Sequence, residues 1–316
     1  MFDTSGAPEL KVSSDRVAFV GAGAVGCYFG GMLARAGVPV TLIGRPAHVD
    51  AIRRDGLLLE RAESQEYIRV DASTEIQDVH DADIIFLCVK TTDTESAAAA
   101  IAPYLAPRAV VVSFQNGVDN VERMQKAAGI AALPAVVYVA CAMTGPGRVK
   151  HNGRGDIVIG ASAAATARVL RVFEGARIPC RVSENIDGEL WTKLVMNCAY
   201  NAISALTHAQ YRFITADTEV RQVMTELIRE VVAVGTAAGV VLQSVEELSE
   251  AAFKLGETMA TATSSTEQDI ARGRPTEIDS LNGYVVRRGR QLGIPTPVNS
   301  TVYALVKLVE KGGSHP

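Results

Sequence analysis

Six residues constrain this chain more than any others: Gly21-Ala22-Gly23-Ala24-Val25-Gly26. They come straight after the apolar run Val17-Ala18-Phe19-Val20 and open an Ala/Leu-rich stretch that Gly37 closes. Glycines at this spacing between a strand and a helix have separate tasks. The first permits the turn, the second lets backbone approach a pyrophosphate, and the third lets the helix pack closely on the sheet. A second buried strand is predicted at residues 40–43, completing a βαβ unit. Phosphates are then expected at the positive helix N-terminus, against Gly21, Gly23, Ala24, Val25 and Gly26.

The alternation continues. Short apolar runs recur at 83–89, 109–113, 136–142 and 156–160, with helical stretches between them, which predicts a mainly parallel sheet. From residue 187 the strand signal stops, and 187–207, 218–238, 244–256, 258–272, 277–292 and 299–311 read as helices broken at Gly239, Gly293 and Pro295. The chain is therefore expected to be α/β. Residues 1–186 form a Rossmann-type dinucleotide-binding domain, and residues 187–316 an all-helical substrate and catalytic domain. Residues 1–14 lack an apolar core and read as a flexible lead-in, neither signal peptide nor anchor.

The end of the second strand selects the dinucleotide. NAD enzymes place an acidic residue there to hold the ribose hydroxyls, whereas this chain has Arg45. A guanidinium attracts a 2′-phosphate, so NADPH/NADP+ is the expected cofactor; Arg53 or Arg54 are candidates to assist. Val89-Lys90-Thr91 and Phe114-Gln115-Asn116-Gly117 end two later strands, where open α/β sheets bind ligands, which makes Lys90 and Asn116 candidates for the nicotinamide end. Turn chemistry explains Asn-Gly equally well.

The predicted helix 187–207 is apolar over most of its surface but carries Lys193, Asn197 and Asn201 at four-residue steps, with Ser204 on the same stripe. In a buried setting such groups need polar partners, and a bound ligand would supply them. A solvated face is the alternative. Farther on, Thr263-Ser264-Ser265 precedes Gly273-Arg274-Pro275-Thr276-Glu277-Ile278-Asp279, whose proline and acids also suit an ordinary first helical turn.

Composition excludes several classes. With 316 residues, 48% hydrophobic, 21% charged and a net charge of −4, the chain has enough apolar residues for two cores and no general attraction to nucleic acid. No apolar run spans a bilayer, so no membrane partner is expected. Five cysteines without a Cys-x-x-Cys pair and five dispersed histidines predict reduced thiols, a cytoplasmic location and no metal.

Taken together, the glycine fingerprint with Arg45, Val89-Lys90, Gln115-Asn116-Gly117, Trp191-Thr192-Lys193-Leu194 with Asn197 and Asn201, and Arg274 to Asp279 with Asn282-Gly283 resemble the ketopantoate reductase (2-dehydropantoate 2-reductase) family. The resemblance runs from about Arg16 to near the C-terminus. It implies an NADP-dependent oxidoreductase of pantothenate and coenzyme A biosynthesis, in which Lys193 gives a proton to the oxygen at C2 as hydride arrives and Glu277 supports the site. It assigns Asn116, Asn197, Asn201 and Ser265 to the substrate, a small 2-keto acid. Arg45 goes to the 2′-phosphate, and Lys90, Asn116 and Glu277 to the cofactor side. Thr266-Glu267 departs from the apolar pair that relatives often carry. Another branched 2-keto acid, or a non-catalytic NADPH-binding regulator, stays as an alternative; Lys193 together with Glu277 argues against the regulator. A homodimer is left open.

Overall fold

The computed structural model describes residues 13–312, so the expectation for the lead-in falls outside the described residues apart from Ser13 and Ser14. By contacts the chain forms two compact units. Among the described residues, one holds those up to Gln115 together with Asp119–Ile186; the other holds Asn116–Val118 and those from Asp187 on.

The first unit begins with the predicted motif: β1 (Val17–Val20), α1 (Ala24–Arg35) and β2 (Val40–Ile43). After α2 (Pro46–Asp55) come β3 (Leu57–Glu60), β4 (Gln65–Ile68) and the short β5 (Asp71–Ser73). Then follow β6 (Ile84–Leu87), α3 (Thr94–Ile101), β7 (Val110–Ser113) and α4 (Asn120–Ala128). β8 (Leu133–Gly145), β9 (Arg148–Gly160), α5 (Ala163–Gly175) and β10 (Cys180–Ser183) complete it. In the sheet, β8-β7-β6-β1-β2-β5 are neighbours and all parallel, the doubly wound order whose direction reverses between β1 and β6. Both faces are buried, because alternate residues of each strand enter different cores: Phe19, Leu42 and Phe86 on one side, Val20, Ile43 and Leu87 on the other.

The expected sheet needs correction at its far edge. β8 and β9 are thirteen residues each and pair antiparallel, and β3, β4 and β10 extend this part of the sheet through β9. Only the apolar segments of β8 and β9 were anticipated. The remainder, with Lys150, His151, Arg154 and several glycines, is half exposed and lacks a buried strand's pattern.

The second unit contains α6 (Ile186–Thr207), α7 (Tyr211–Ala216), α8 (Thr218–Ala237), α9 (Val245–Thr258), α10 (Ser265–Ala271), α11 (Asn282–Leu292) and α12 (Pro297–Gly312). One core joins Trp191, Leu194, Val195 and Cys198 of α6 to Leu227, Val231, Ile278, Val285 and Val306. Two predicted helices are broken. The helix expected over 258–272 is interrupted after Thr258, and α10 restarts where the Ser264 hydroxyl accepts from Glu267 N–H (3.0 Å) as N-cap. The helix expected over 277–292 opens instead as a single 3-10 turn, Ile278–Ser280, and Leu281 (φ −108°, ψ −108°) separates it from α11. The short α7 was not anticipated. Among the described residues no helix is long and apolar enough to cross a membrane.

Candidate active site

The glycine turn lies at the reversal point of the sheet. Gly21 and Ala22 N–H both donate to Ile43 O (2.9 and 3.0 Å), and Cys88 N–H donates to Val20 O (2.7 Å), which fastens the turn to β2 and β6. Gly21 has φ +110°, and a Cβ there would lie 2.7 Å from Cys88 backbone. A Cβ on Gly26 would lie 2.3 Å from Gly21 O. Gly23 differs, since a Cβ on it would meet no protein atom within 4 Å. It is also the N-cap of α1 and supplies no side-chain cap. This leaves helix-end N–H groups facing space that a pyrophosphate fits, so the residues present suit a dinucleotide.

At the end of β2, a Cβ on Gly44 would come within 2.5 Å of Ala22 Cβ. Arg45, the next residue, is therefore held beside the turn. It is exposed, caps α2, and among the described residues its side chain has no hydrogen-bond partner. Arg53 and Arg54 are engaged elsewhere: Arg53 Nε donates to Ala72 O (2.8 Å), and Arg54 pairs with Asp55 (2.7 Å). Both line a groove of about 530 Å³ that includes Arg16, Thr41 and Asp71, residues at the amino ends of β1, β2 and β5, the end of the sheet opposite the glycine turn. Lys90 leads out of β6 on a loop that Gln115 holds, its Nε2 donating to Val89 O (3.2 Å) and to Thr94 Oγ1 (2.8 Å). Gln115 is 6% exposed, and its place among buried threonines is what gives it this task.

Within the second unit, Lys193, Asn116 and Glu277 form one hydrogen-bonded set. Lys193 Nζ donates to Asn116 Oδ1 (3.0 Å), and Asn116 Nδ2 donates to Glu277 Oε2 (3.0 Å). The amide has one possible orientation, because an ammonium only donates and a carboxylate only accepts. Lys193 and Glu277 are half-buried, a setting in which such bonds hold a side chain more firmly than in water. Neither end is a helix-capping ornament: Glu277 precedes the 3-10 turn, yet its side chain gives that turn no cap.

The rest of the α6 stripe divides. Asn201 is buried (3% exposed) and Asn197 half-buried, and among the described residues neither amide has a side-chain hydrogen-bond partner. Ser204 is structural: its hydroxyl donates to Ala209 O (3.1 Å) and accepts from Ser264 N–H (3.2 Å). Ser265 is exposed at the start of α10, whereas Ser264 is buried and donates to Asn201 O (3.3 Å). Thr266, one of the departures, is 1% exposed with a hydroxyl that meets no partner among the described residues, and Glu267 lies 3.3 Å from His208.

No cysteine competes for the chemistry. All five are free, and burial pushes the Cys27, Cys141 and Cys180 thiols up to about 12, which makes them poor nucleophiles. Among the described residues no group of three or more His, Cys, Asp or Glu side chains could hold a metal ion.

The family model "Ketopantoate reductase PanE/ApbA" matches residues 17–164, and its C-terminal counterpart matches residues 185–310. A 2-dehydropantoate 2-reductase of Halobacterium salinarum is 32% identical over 305 residues, 94% of this chain and 100% of its own length. One from Pyrococcus abyssi is 30% identical over 92% of this chain and 97% of its own. A PanE/ApbA family ketopantoate reductase structure from Ralstonia eutropha JMP134 superposes with a TM-score of 0.90 at 47% identity, over 95% of this chain and 100% of that one. D-mandelate dehydrogenase with NADH and anilino(oxo)acetate shares the fold at 23% identity (TM-score 0.87). With the fingerprint turn, the Lys193 set and matches over nearly its whole length, this chain belongs to the ketopantoate reductase PanE/ApbA family and is an oxidoreductase of that family.

Proposed function

We propose that the chain reduces 2-dehydropantoate (ketopantoate) to pantoate with NADPH. The observation that carries this reading is the Lys193–Asn116–Glu277 set, in which an ammonium is held by an amide that is itself held by a carboxylate. Gly21, Gly23, Ala24, Val25 and Gly26 would hold the pyrophosphate, Arg45 the 2′-phosphate, and Lys90 the nicotinamide side. Bound there, NADPH would supply a hydride to C2. Lys193 donates a proton to the oxygen at C2, so the charge that develops there meets an oriented ammonium. Asn116 orients Lys193, and Glu277 fixes Asn116. Asn197, Asn201 and Ser265 are the remaining groups for the substrate carboxylate and hydroxyl.

Arg45 favours NADPH over NADH because a guanidinium stands beside the turn with no carboxylate at the strand end. A cytoplasmic location suits such a reaction. The deciding experiment follows NADPH oxidation with ketopantoate and, separately, with 2-ketoisovalerate, which lacks the C4 hydroxyl. Asn197 and Asn201 offer donors and acceptors for that hydroxyl, so kcat/KM for ketopantoate is expected to be larger by at least about 10²-fold. Near-equal values would replace ketopantoate with a general 2-keto acid.

A further inference from the structure

Glu277 sits in a stretch that no helical ladder holds. It precedes a single 3-10 turn, which contributes one local bond at this point, from Ser280 N–H to Glu277 O (2.9 Å). The aim of its carboxylate therefore depends on whatever fixes the residues on either side, and both are fastened to one helix. On one side Thr276 is 2% exposed, and its N–H and hydroxyl both donate to Glu310 Oε1 (2.9 and 2.5 Å). On the other side the Asp279 carboxylate accepts from Tyr303 Oη (2.6 Å) and Lys307 Nζ (2.9 Å). Lys307 also pairs with Glu310 (2.6 Å), which closes the strap. Residues 303, 307 and 310 are spaced four and three apart, on one face of α12. α12 is anchored in its turn, because Glu230 accepts from Val298 and Asn299 N–H (2.8 Å each).

We propose that Glu310, with Lys307, is a positioning residue for the reaction: by holding Thr276 and Asp279 against α12 it aims the Glu277 carboxylate at Asn116, and through it Lys193. This rests on the catalytic reading of the Lys193–Asn116–Glu277 set. Ion pairing of this kind normally adds little at a surface. Here it holds residues before and after a site residue, and a displacement near 1 Å at a reacting group can cost far more in rate than in stability.

The test is a double-mutant cycle on the full-length protein, with thermal unfolding measured beside steady-state kinetics. Glu310→Ala is expected to lower kcat by about 10-fold while KM for NADPH changes less than about 2-fold. In a Glu277→Ala background the same substitution is expected to change kcat less than about 2-fold, because the group it positions is already gone. If Glu310→Ala does not fold, Thr276→Val takes its place in the cycle, and Thr276→Ser, which keeps the hydroxyl, retains wild-type kcat. Equal losses in both backgrounds overturn the proposal. So does a wild-type kcat for Glu310→Ala where Glu277→Ala itself is impaired. A Glu277→Ala enzyme with wild-type kcat refutes the catalytic reading of Glu277, a distinct failure visible in the single variant, and the proposal falls with it.

Discussion

Lys193→Ala is the perturbation whose outcome follows most directly from the geometry. Its ammonium lies 3.0 Å from Asn116 Oδ1, and an ammonium has three N–H groups, so it can hold the amide and still donate to a keto oxygen. A charge-assisted hydrogen bond to the developing oxyanion contributes about 1.5–3 kcal/mol. That alone corresponds to about 10- to 150-fold in rate. Proton donation adds to it, so kcat is expected to fall by about 10²- to 10⁴-fold. Asn116→Ala removes only the anchor, leaves the ammonium, and should cost about 10-fold.

Two measurements decide the matter. Initial rates of NADPH oxidation at saturating ketopantoate give kcat, and fluorescence titration gives the Kd for NADPH, expected to stay within about 3-fold because the ground-state cofactor contacts are untouched. A Lys193→Ala enzyme within about 5-fold of wild type, or one no worse than Asn116→Ala, would refute proton donation and leave Lys193 a structural partner of the amide.

Three further outcomes are expected. Arg45→Ala should weaken NADPH by about 2 kcal/mol, near 30-fold in Kd, with NADH affinity unchanged, because only NADPH carries the 2′-phosphate; parallel titrations check it, and equal losses remove Arg45 from that role. Asn201→Ala should narrow the preference for ketopantoate over 2-ketoisovalerate mainly by lowering kcat/KM for ketopantoate, as steady-state kinetics on both acids will show. The α12 strap should respond to acid: burial opposes ionisation of Asp279 and Glu310, but bonds from Lys307, Tyr303 and Thr276 outweigh it and hold both carboxyls below their ordinary values. Burial likewise opposes the charge on Lys307, whose two carboxylate partners nevertheless raise it. Depressed carboxylates stabilise the fold above their ordinary values and lose that contribution as pH falls through the folded ones, while Lys307 stays charged well past neutrality. The Tm difference between wild type and Lys307→Met should therefore be widest near about pH 7 and shrink toward about pH 3; an unchanged gap would show that the strap adds no stability.

The sequence was informative where local pattern and burial coincide. β1, the glycine turn, α1 and β2 are readable because β1 is apolar throughout, β2 is apolar but for Thr41, and each glycine has a backbone neighbour that forbids a side chain or open space beside it. α6 is readable because its apolar residues wrap a long helix. β4, with the residues Gln65-Glu66-Tyr67-Ile68, has three exposed positions, and β5 has three residues, so neither leaves a periodic signal. The interruption before α10 depends on Ser264 reaching Asn201 O and Ser204, sixty or so residues away, and no window along the chain contains that. Family resemblance points to Lys193 and Asn116 as separate site residues, but their pairing across 77 residues is visible only in the structure. Glu310 carried no signal at all, since an acid near the end of an amphipathic helix reads as solvated surface.

Asn116–Val118 lies in the sequence between β7 and α4 but belongs by its contacts to the helical unit. The three side chains of the hydrogen-bonded set thus belong to one unit although Asn116 and Glu277 are 161 positions apart and residue 186 falls between them in the sequence. For recombination among relatives this matters more than the boundary at residue 186. A chimera that joins the first 186 residues of one parent to the remainder of another inherits the central amide from one source and the ammonium and carboxylate from the other. Its compatibility is then decided by a three-residue loop embedded in the foreign half. Grafting 116–118 along with the helical unit is the division that keeps the set under one parent's control, and the helical half expressed alone would carry a lysine and a glutamate without the residue that joins them.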